Sequence, residues 1–225
     1  MTIFESAMDL VTKGGVIMLP ILLCSVIAVA IILERLMYFN KRKEDPEALY
    51  KAVREALRKK NAAKALEVCR QSRGPVAKVL ETGVRNGNAS KAQLEETMSM
   101  AGQEEMQNME RNIKGLEVIA AVSPLLGLLG TVIGMVQAFN QVAEFEGQIN
   151  PSLLAGGIWE ALLTTAAGLA VAIPTLIMMH FFDKRIDRKG FDMERATHYF
   201  VLFMEQSGVA KQNRAASASN TLASS

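Results

Sequence analysis

The chain has 225 residues, 50% of them hydrophobic, and its 25 basic and 23 acidic residues leave a net charge of only +2. That near balance gives no reason to expect a nucleic-acid partner, and two cysteines are too few for a disulfide scaffold. The distribution of apolar residues, more than their total, excludes an ordinary soluble domain and sets the class as an all-α membrane protein.

Residues 1–15 read as a short amphipathic helix in the outer interface, with Ile3, Phe4, Met8 and Leu10 against Glu5 and Asp9. Three stretches then lack any charged side chain, at Gly14–Leu33, Val118–Ala143 and Ala161–Phe182. At about 1.5 Å per residue each is long enough to cross a hydrocarbon core of roughly 30 Å. Transmembrane helices are accordingly expected at 16–39, 116–140 and 158–182. The first is not expected to be a cleaved signal peptide. It lacks a basic leader, and it ends on Arg35, Lys41, Arg42 and Lys43 with no small-residue cleavage site.

Basic residues near the span ends set the orientation. Those four, with Arg111, Lys114, Lys184, Arg185, Arg188 and Lys189, place ten on one side against Lys13 alone on the other. The N-terminus and the 141–157 loop are therefore expected outside, with residues 40–115 and the C-terminus in the cytoplasm. Cys24 falls in a span and Cys69 in the cytoplasmic segment, so they are not expected to pair.

The cytoplasmic segment reads as short helices joined by tight turns. Asp45-Pro46 opens one from Glu47 to Lys60; a second runs from Ala62 to Gln71 and a third from Val76 to Val84. No nucleotide-binding loop or metal-ligand cluster is present in it, and nothing along the chain pairs a nucleophile with a base, so neither an enzyme nor a cofactor is expected. Ser90 with Gln93 forms a capping box that starts a single long helix to about Gln141. Asn150-Pro151 opens another, whose outer part is the third span and whose continuation, 183–207, returns to the cytoplasm. Residues 208–225, mostly Ala, Ser and Asn, are expected to be disordered.

Within the second and third spans two matched lines of small or hydroxyl residues share a helix face: Gly127, Thr131, Gly134 and Ala138, and Ala161, Thr165, Gly168 and Ala172. Small residues allow the close approach by which membrane helices associate. The two threonines fit either plain packing, each bonded to its own helix, or a lined polar path, and their comparable depth favours the path. Glu160, beside Trp159, is either an interface anchor held near a helix N-terminus or a carboxylate at the mouth of that path. Glu34 and Arg35 are expected to snorkel to the interface. Pro124 and Pro174 each remove a helical hydrogen bond and should kink the two spans at similar depth. Apart from Glu160, these spans hold no acidic residue able to relay a proton. A proton channel built from them needs a carboxylate from a partner helix.

The runs AVSPLLGLLGTVIGM (121–135) and GIWEALLTTAAGLAVAIP (157–174) resemble the signatures of the MotA/TolQ/ExbB proton-channel family, and of its ExbB/TolQ branch most closely. The resemblance covers most of the chain and is specific over 115–182. It implies a pentameric ring in the bacterial inner membrane around a single-span partner of the ExbD/TolR type that brings a proton-carrying Asp. It also implies a TonB- or TolA-like protein driven across the periplasm. Thr131, Thr165 and Glu160 stand where the family has pore-facing threonines and a carboxylate. Thr164 departs from the pattern by doubling the hydroxyl, and the sequence leaves open whether it faces the pore or a neighbouring subunit. The implied function is use of the proton motive force to energise a TonB-like protein. The alternatives are a TolQ-like role in envelope maintenance and cell division, or a non-conducting scaffold.

Overall fold

In the computed structural model, residues 15–144 and 151–223 are described, with side chains over 15–143 and 155–207. Seven helices account for nearly all of this: α1 Met18–Lys41, α2 Pro46–Arg58, α3 Ala62–Gln71, α4 Pro75–Arg85, α5 Lys91–Glu110, α6 Ile113–Glu144 and α7 Pro151–Ala223. The amphipathic helix expected over 1–15 lies outside the described residues but for Gly15, as does the centre of the 141–157 loop. Three helical stretches are long and apolar enough to cross a membrane, so the chain is an all-α, multi-pass membrane protein. The residues fall into two compact units, one of residues up to Leu36 with Asn112–Asp183, the other of Met37–Arg111 with the chain from Lys184.

The first unit holds the apolar helices. Of the part of α1 that belongs to this unit, only Met18, Ile21, Ala28 and Arg35 are buried, at steps of three and seven that trace one narrow line, while Leu19, Leu23, Val26, Val29 and Leu33 stay exposed. Such a helix has one protein-facing stripe and is otherwise suited to lipid. Arg35 departs from expectation. It does not snorkel outward: it is 3% exposed, its Nε donates to Glu34 Oε2 at 2.7 Å, and Asn112 Nδ2 donates to the same carboxylate at 3.1 Å.

That asparagine also marks a second departure. The single helix expected from Ser90 is divided at Arg111–Asn112, where Gly115 N reaches back three residues to Asn112 O at 3.2 Å instead of four. One turn tightens there, a common way to satisfy amides at a helix start. The break coincides with the boundary between the units.

The second unit is packed like a water-soluble protein. Val53, Ala65, Val76, Val79, Leu80, Met98 and Phe200 are all buried. Its helices start where the sequence places N-caps: Asp45 accepts from Glu47 N and Ala48 N, Asn61 from Lys64 N, and Ser90 and Gln93 cap each other. The α2–α3 turn closes as a Schellman motif, with Asn61 N on Ala56 O, Lys60 N on Leu57 O and Lys60 at φ 58°. Before α4, Gly74 offers no side-chain cap, and a distant residue supplies one. Glu44 Oε1 accepts from Val76 N at 3.0 Å and Oε2 from Ser72 Oγ at 3.2 Å, with Lys189 Nζ 3.8 Å away. A carboxylate at a helix N-terminus satisfies amides that otherwise have no partner and complements the dipole. Further along α7, Arg195 pairs with Glu47, Lys91 with Glu205, and Tyr50 Oη donates to Tyr199 O.

Helix α7 continues through 208–223, to Ala223. Alanine has the highest helix propensity, and only Gly208 in that stretch strongly opposes continuation.

Candidate functional site: the α6–α7 contact

Helices α6 and α7 run antiparallel and approach through residues without bulk. A Cβ added to Gly127 would lie 3.0 Å from Thr165 Cα, one on Gly168 2.5 Å from Ser123 O, and one on Gly157 2.7 Å from Ala138 Cβ. On Gly130 it would overlap the Thr164 side chain. Backbones this close gain dispersion contacts along the whole seam, which is the available driving force where lipid replaces water.

The buried line on α6 is Ser123, Gly127, Gly130, Gly134 and Ala138; on α7 it is Ala161, Thr164, Gly168, Ala172 and Thr175. The small residues expected at Gly127, Gly134, Ala138, Ala161, Gly168 and Ala172 lie on these lines, but the two threonines expected beside them do not. Thr131 and Thr165 flank the seam, half-buried, and Gly130 and Thr164 occupy the seam positions instead. The missed signal is the step of three from Gly127 to Gly130 and of three from Ala161 to Thr164. Both steps are as helical as the steps of four to the threonines.

Their hydroxyls have separate partners. Thr164 Oγ1, 1% exposed, donates to Ala161 O at 2.7 Å within its own helix, with Gly127 O a longer 3.4 Å away. A hydroxyl has one proton, so the shorter bond takes it. Thr165 Oγ1 crosses to α6 and donates to Gly127 O at 3.1 Å. Thr131 Oγ1 turns back onto Leu128 O at 2.7 Å. Thr164 is therefore an internal packing residue, and Thr165 is the hydroxyl that bridges the two helices.

The register brings these groups to one level. Gly130 meets Thr164 and Gly134 meets Ala161, so Thr131 lies between those two contacts, and Glu160 is the residue preceding Ala161. Gly127 to Gly134 on α6 covers ~10 Å, and the three threonines and Glu160 all fall within about that band. Glu160 is half-buried and sits against the backbone of Gly15, which holds φ +64° just before α1. Its expected support from the α7 N-terminus is absent: α7 begins at Pro151, nine residues away, and the dipole fades within the first turn. The helix start it meets is that of α1.

Pro124 and Pro174 both lie inside continuous helices. They are not level. Ser123, next to Pro124, faces Gly168, and Pro174 is six residues, ~9 Å, further along α7. Ser123 itself is fully buried with its Oγ unpartnered among the described residues. Among the described residues no group of three His, Cys, Asp or Glu converges as a metal site.

Comparisons with known proteins identify the family. Residues 71–195 match the model of the MotA/TolQ/ExbB proton channel family. The biopolymer transport protein exbB1 of Vibrio cholerae is 30% identical over 89% of this chain and 90% of its own length. A putative biopolymer transport protein ExbB homolog of Methanothermobacter thermautotrophicus is 33% identical over 82% of the chain, which spans 65% of that protein. The Tol-Pal system protein TolQ of Haemophilus influenzae is 34% identical over 51% of this chain and 50% of its own. Because residues 71–195, more than half of its length, match that family's model, the chain belongs to the MotA/TolQ/ExbB proton channel family.

Proposed function

We propose that the chain is the proton-channel subunit of an inner-membrane motor that energises a TonB-like protein for transport across the outer membrane. Family membership supports the coarser role, coupling of the proton motive force to transport by a protein that is not an enzyme. The finer reading rests on one observation: Thr165 donates across to Gly127 O at the level of Thr131 and near Glu160, with no acid in the band except that edge carboxylate.

In this reading five copies surround a single-span ExbD/TolR-like helix whose Asp supplies the missing acid. Thr165 and Thr131 have hydroxyl protons that can turn from carbonyls to an incoming carboxylate. Turning Thr165 away from Gly127 O forfeits one interhelical bond, about 0.6 kcal/mol and at most about 1.7, small enough to recur with each step of a motor. Protonation of the partner's Asp weakens its hold on one such pair and frees it for the next. Glu160, half-buried at the outer edge, concentrates protons at the entrance. The N-terminus and the α6–α7 loop face the periplasm, as the ten-to-one bias of basic residues supports. The TolQ-like role is the alternative, favoured by the match to TolQ.

The test is proton flux into liposomes containing the chain with its co-expressed partner, read by a pH dye. Thr165→Ala and Glu160→Ala are each expected to cut flux at least tenfold while partner binding persists. Unchanged flux in both variants would remove the proton-path reading and leave a scaffold.

A further inference from the structure

On the second unit, a cavity of about 510 Å³ lies between the end of α1 and the start of α4, and its walls are strongly basic. Lys41, Arg42, Arg70, Arg73 and Lys78 line it against only two carboxylates. Both carboxylates are already engaged: Glu105 pairs with Arg42 at 3.0 Å, and Glu81 with Arg85 at 2.6 Å and Arg70 at 3.5 Å. Lys41, Arg73 and Lys78 are exposed and have no carboxylate partner among the described residues. The site thus carries three uncompensated positive charges in a volume typical of small-molecule pockets.

Its place on α1 says which anion reaches it. The exposed apolar run of that helix continues to Met37, and Lys41 lies four residues, ~6 Å, beyond. That is the thickness of the headgroup layer outside the hydrocarbon. Tyr38, also in the wall, is an aromatic at this boundary, and the Arg42 guanidinium stacks 4.4 Å above its ring. The cavity is not built to grip a free phosphate. The first amides of α4, which would cradle one, are taken by Glu44. What remains is a fan of exposed cations at headgroup depth.

We propose that this cavity binds the phosphodiester headgroup of an anionic glycerophospholipid and so pins the start of α4 to the membrane surface. The proposal rests on α1 being a membrane span and not on the proton path. The full chain in neutral maltoside micelles is titrated with phosphatidylglycerol, phosphatidylcholine or inorganic phosphate, and bound lipid per chain is followed by native mass spectrometry. Phosphatidylglycerol is expected to be retained over phosphatidylcholine. Each cation near an anionic surface contributes about fivefold, so the triple variant Lys41→Ala, Arg73→Ala, Lys78→Ala should weaken retention about 100-fold. Lys78→Ala alone should lose about fivefold, and it carries the test if circular dichroism shows the triple variant misfolded. Lys51→Ala with Arg58→Ala, on the separate basic run of α2, should change nothing. A triple variant within threefold of wild type, an unchanged Lys78→Ala, an equal loss in the α2 variant, or full displacement of lipid by millimolar phosphate each overturns the proposal.

Discussion

The α6–α7 seam and the α2–α5 core solve the same problem with opposite materials. In the seam, contact is made by Gly127, Gly130, Gly134 and Gly157 and by backbone atoms, with one hydroxyl bridging to a carbonyl. In the core it is made by Leu80 and Met98 with Phe200 of α7, by side-chain caps and by paired charges at the rim. The contrast follows from solvent. Where lipid surrounds a helix, burying a leucine gains little, and close backbone approach carries the stability. Where water surrounds it, the same leucine gains roughly 1.5–3 kcal/mol. Substitutions that exchange the two materials should therefore fail on both sides.

The largest effect is expected at Gly130. Leucine there would have to occupy the space of Thr164, which is buried and bonded to its own helix. Overpacking usually costs about 1–3 kcal/mol, and here neither backbone can retreat without opening the whole seam. Gly130→Leu should abolish the native α6–α7 pairing, seen as loss of the thermal transition in detergent. Gly156→Ala, where a Cβ meets nothing within 4 Å, should leave that transition in place. Equal behaviour of the two variants would mean that the seam is not the close contact described.

In the core the direction reverses, and removing bulk is what hurts. Leu80→Ala should cost about 2–5 kcal/mol, measured as faster proteolysis of the 40–115 segment in the full chain. Glu44→Gln comes next. The amide keeps one acceptor oxygen for the α4 amides but loses the charge that faces Lys189 and the helix dipole, at a cost of about 1–3 kcal/mol. Cys69, buried beside α4, reports both variants: burial pushes its thiol up to about 12, so at pH 8 it labels roughly a thousandfold slower than a free cysteine. Either substitution should speed its alkylation by loosening the packing around it.

These two regions were also unequally legible in the sequence. The helix starts at Asp45 and Ser90 could be read directly, because a cap is a local rule linking one side chain to an amide two or three residues on. Glu44 could not, since it reaches α4 from some thirty residues away and nothing local marks it. In the membrane unit the three apolar crossings were plain from hydropathy. The small-residue lines were visible too, yet the choice between Gly130 and Thr131, or Thr164 and Thr165, was not. Steps of three and of four both belong to one helix face, and only the partner helix decides which of two neighbours is covered. Likewise Arg35 looked like an interfacial cation, because nothing local shows that Asn112, far along the chain, also donates to Glu34, the carboxylate that Arg35 pairs with.

The smallest expected effect tests the seam's one polar link. Thr165→Val preserves shape and removes only the hydroxyl that donates to Gly127 O. An interhelical bond in a membrane protein contributes about 0.6 kcal/mol, so stability should fall by about that amount, a shift of barely a degree or two. Thr131→Val should cost less still, because its hydroxyl bonds only to its own helix. If Thr165 served packing alone, proton flux through the partnered complex would follow this small change. As a hydroxyl that must turn toward a carboxylate, it should instead lose flux out of all proportion to stability. A Thr165→Ser variant, which restores the proton but not the methyl, separates the two roles: it should recover flux and leave the packing deficit uncorrected.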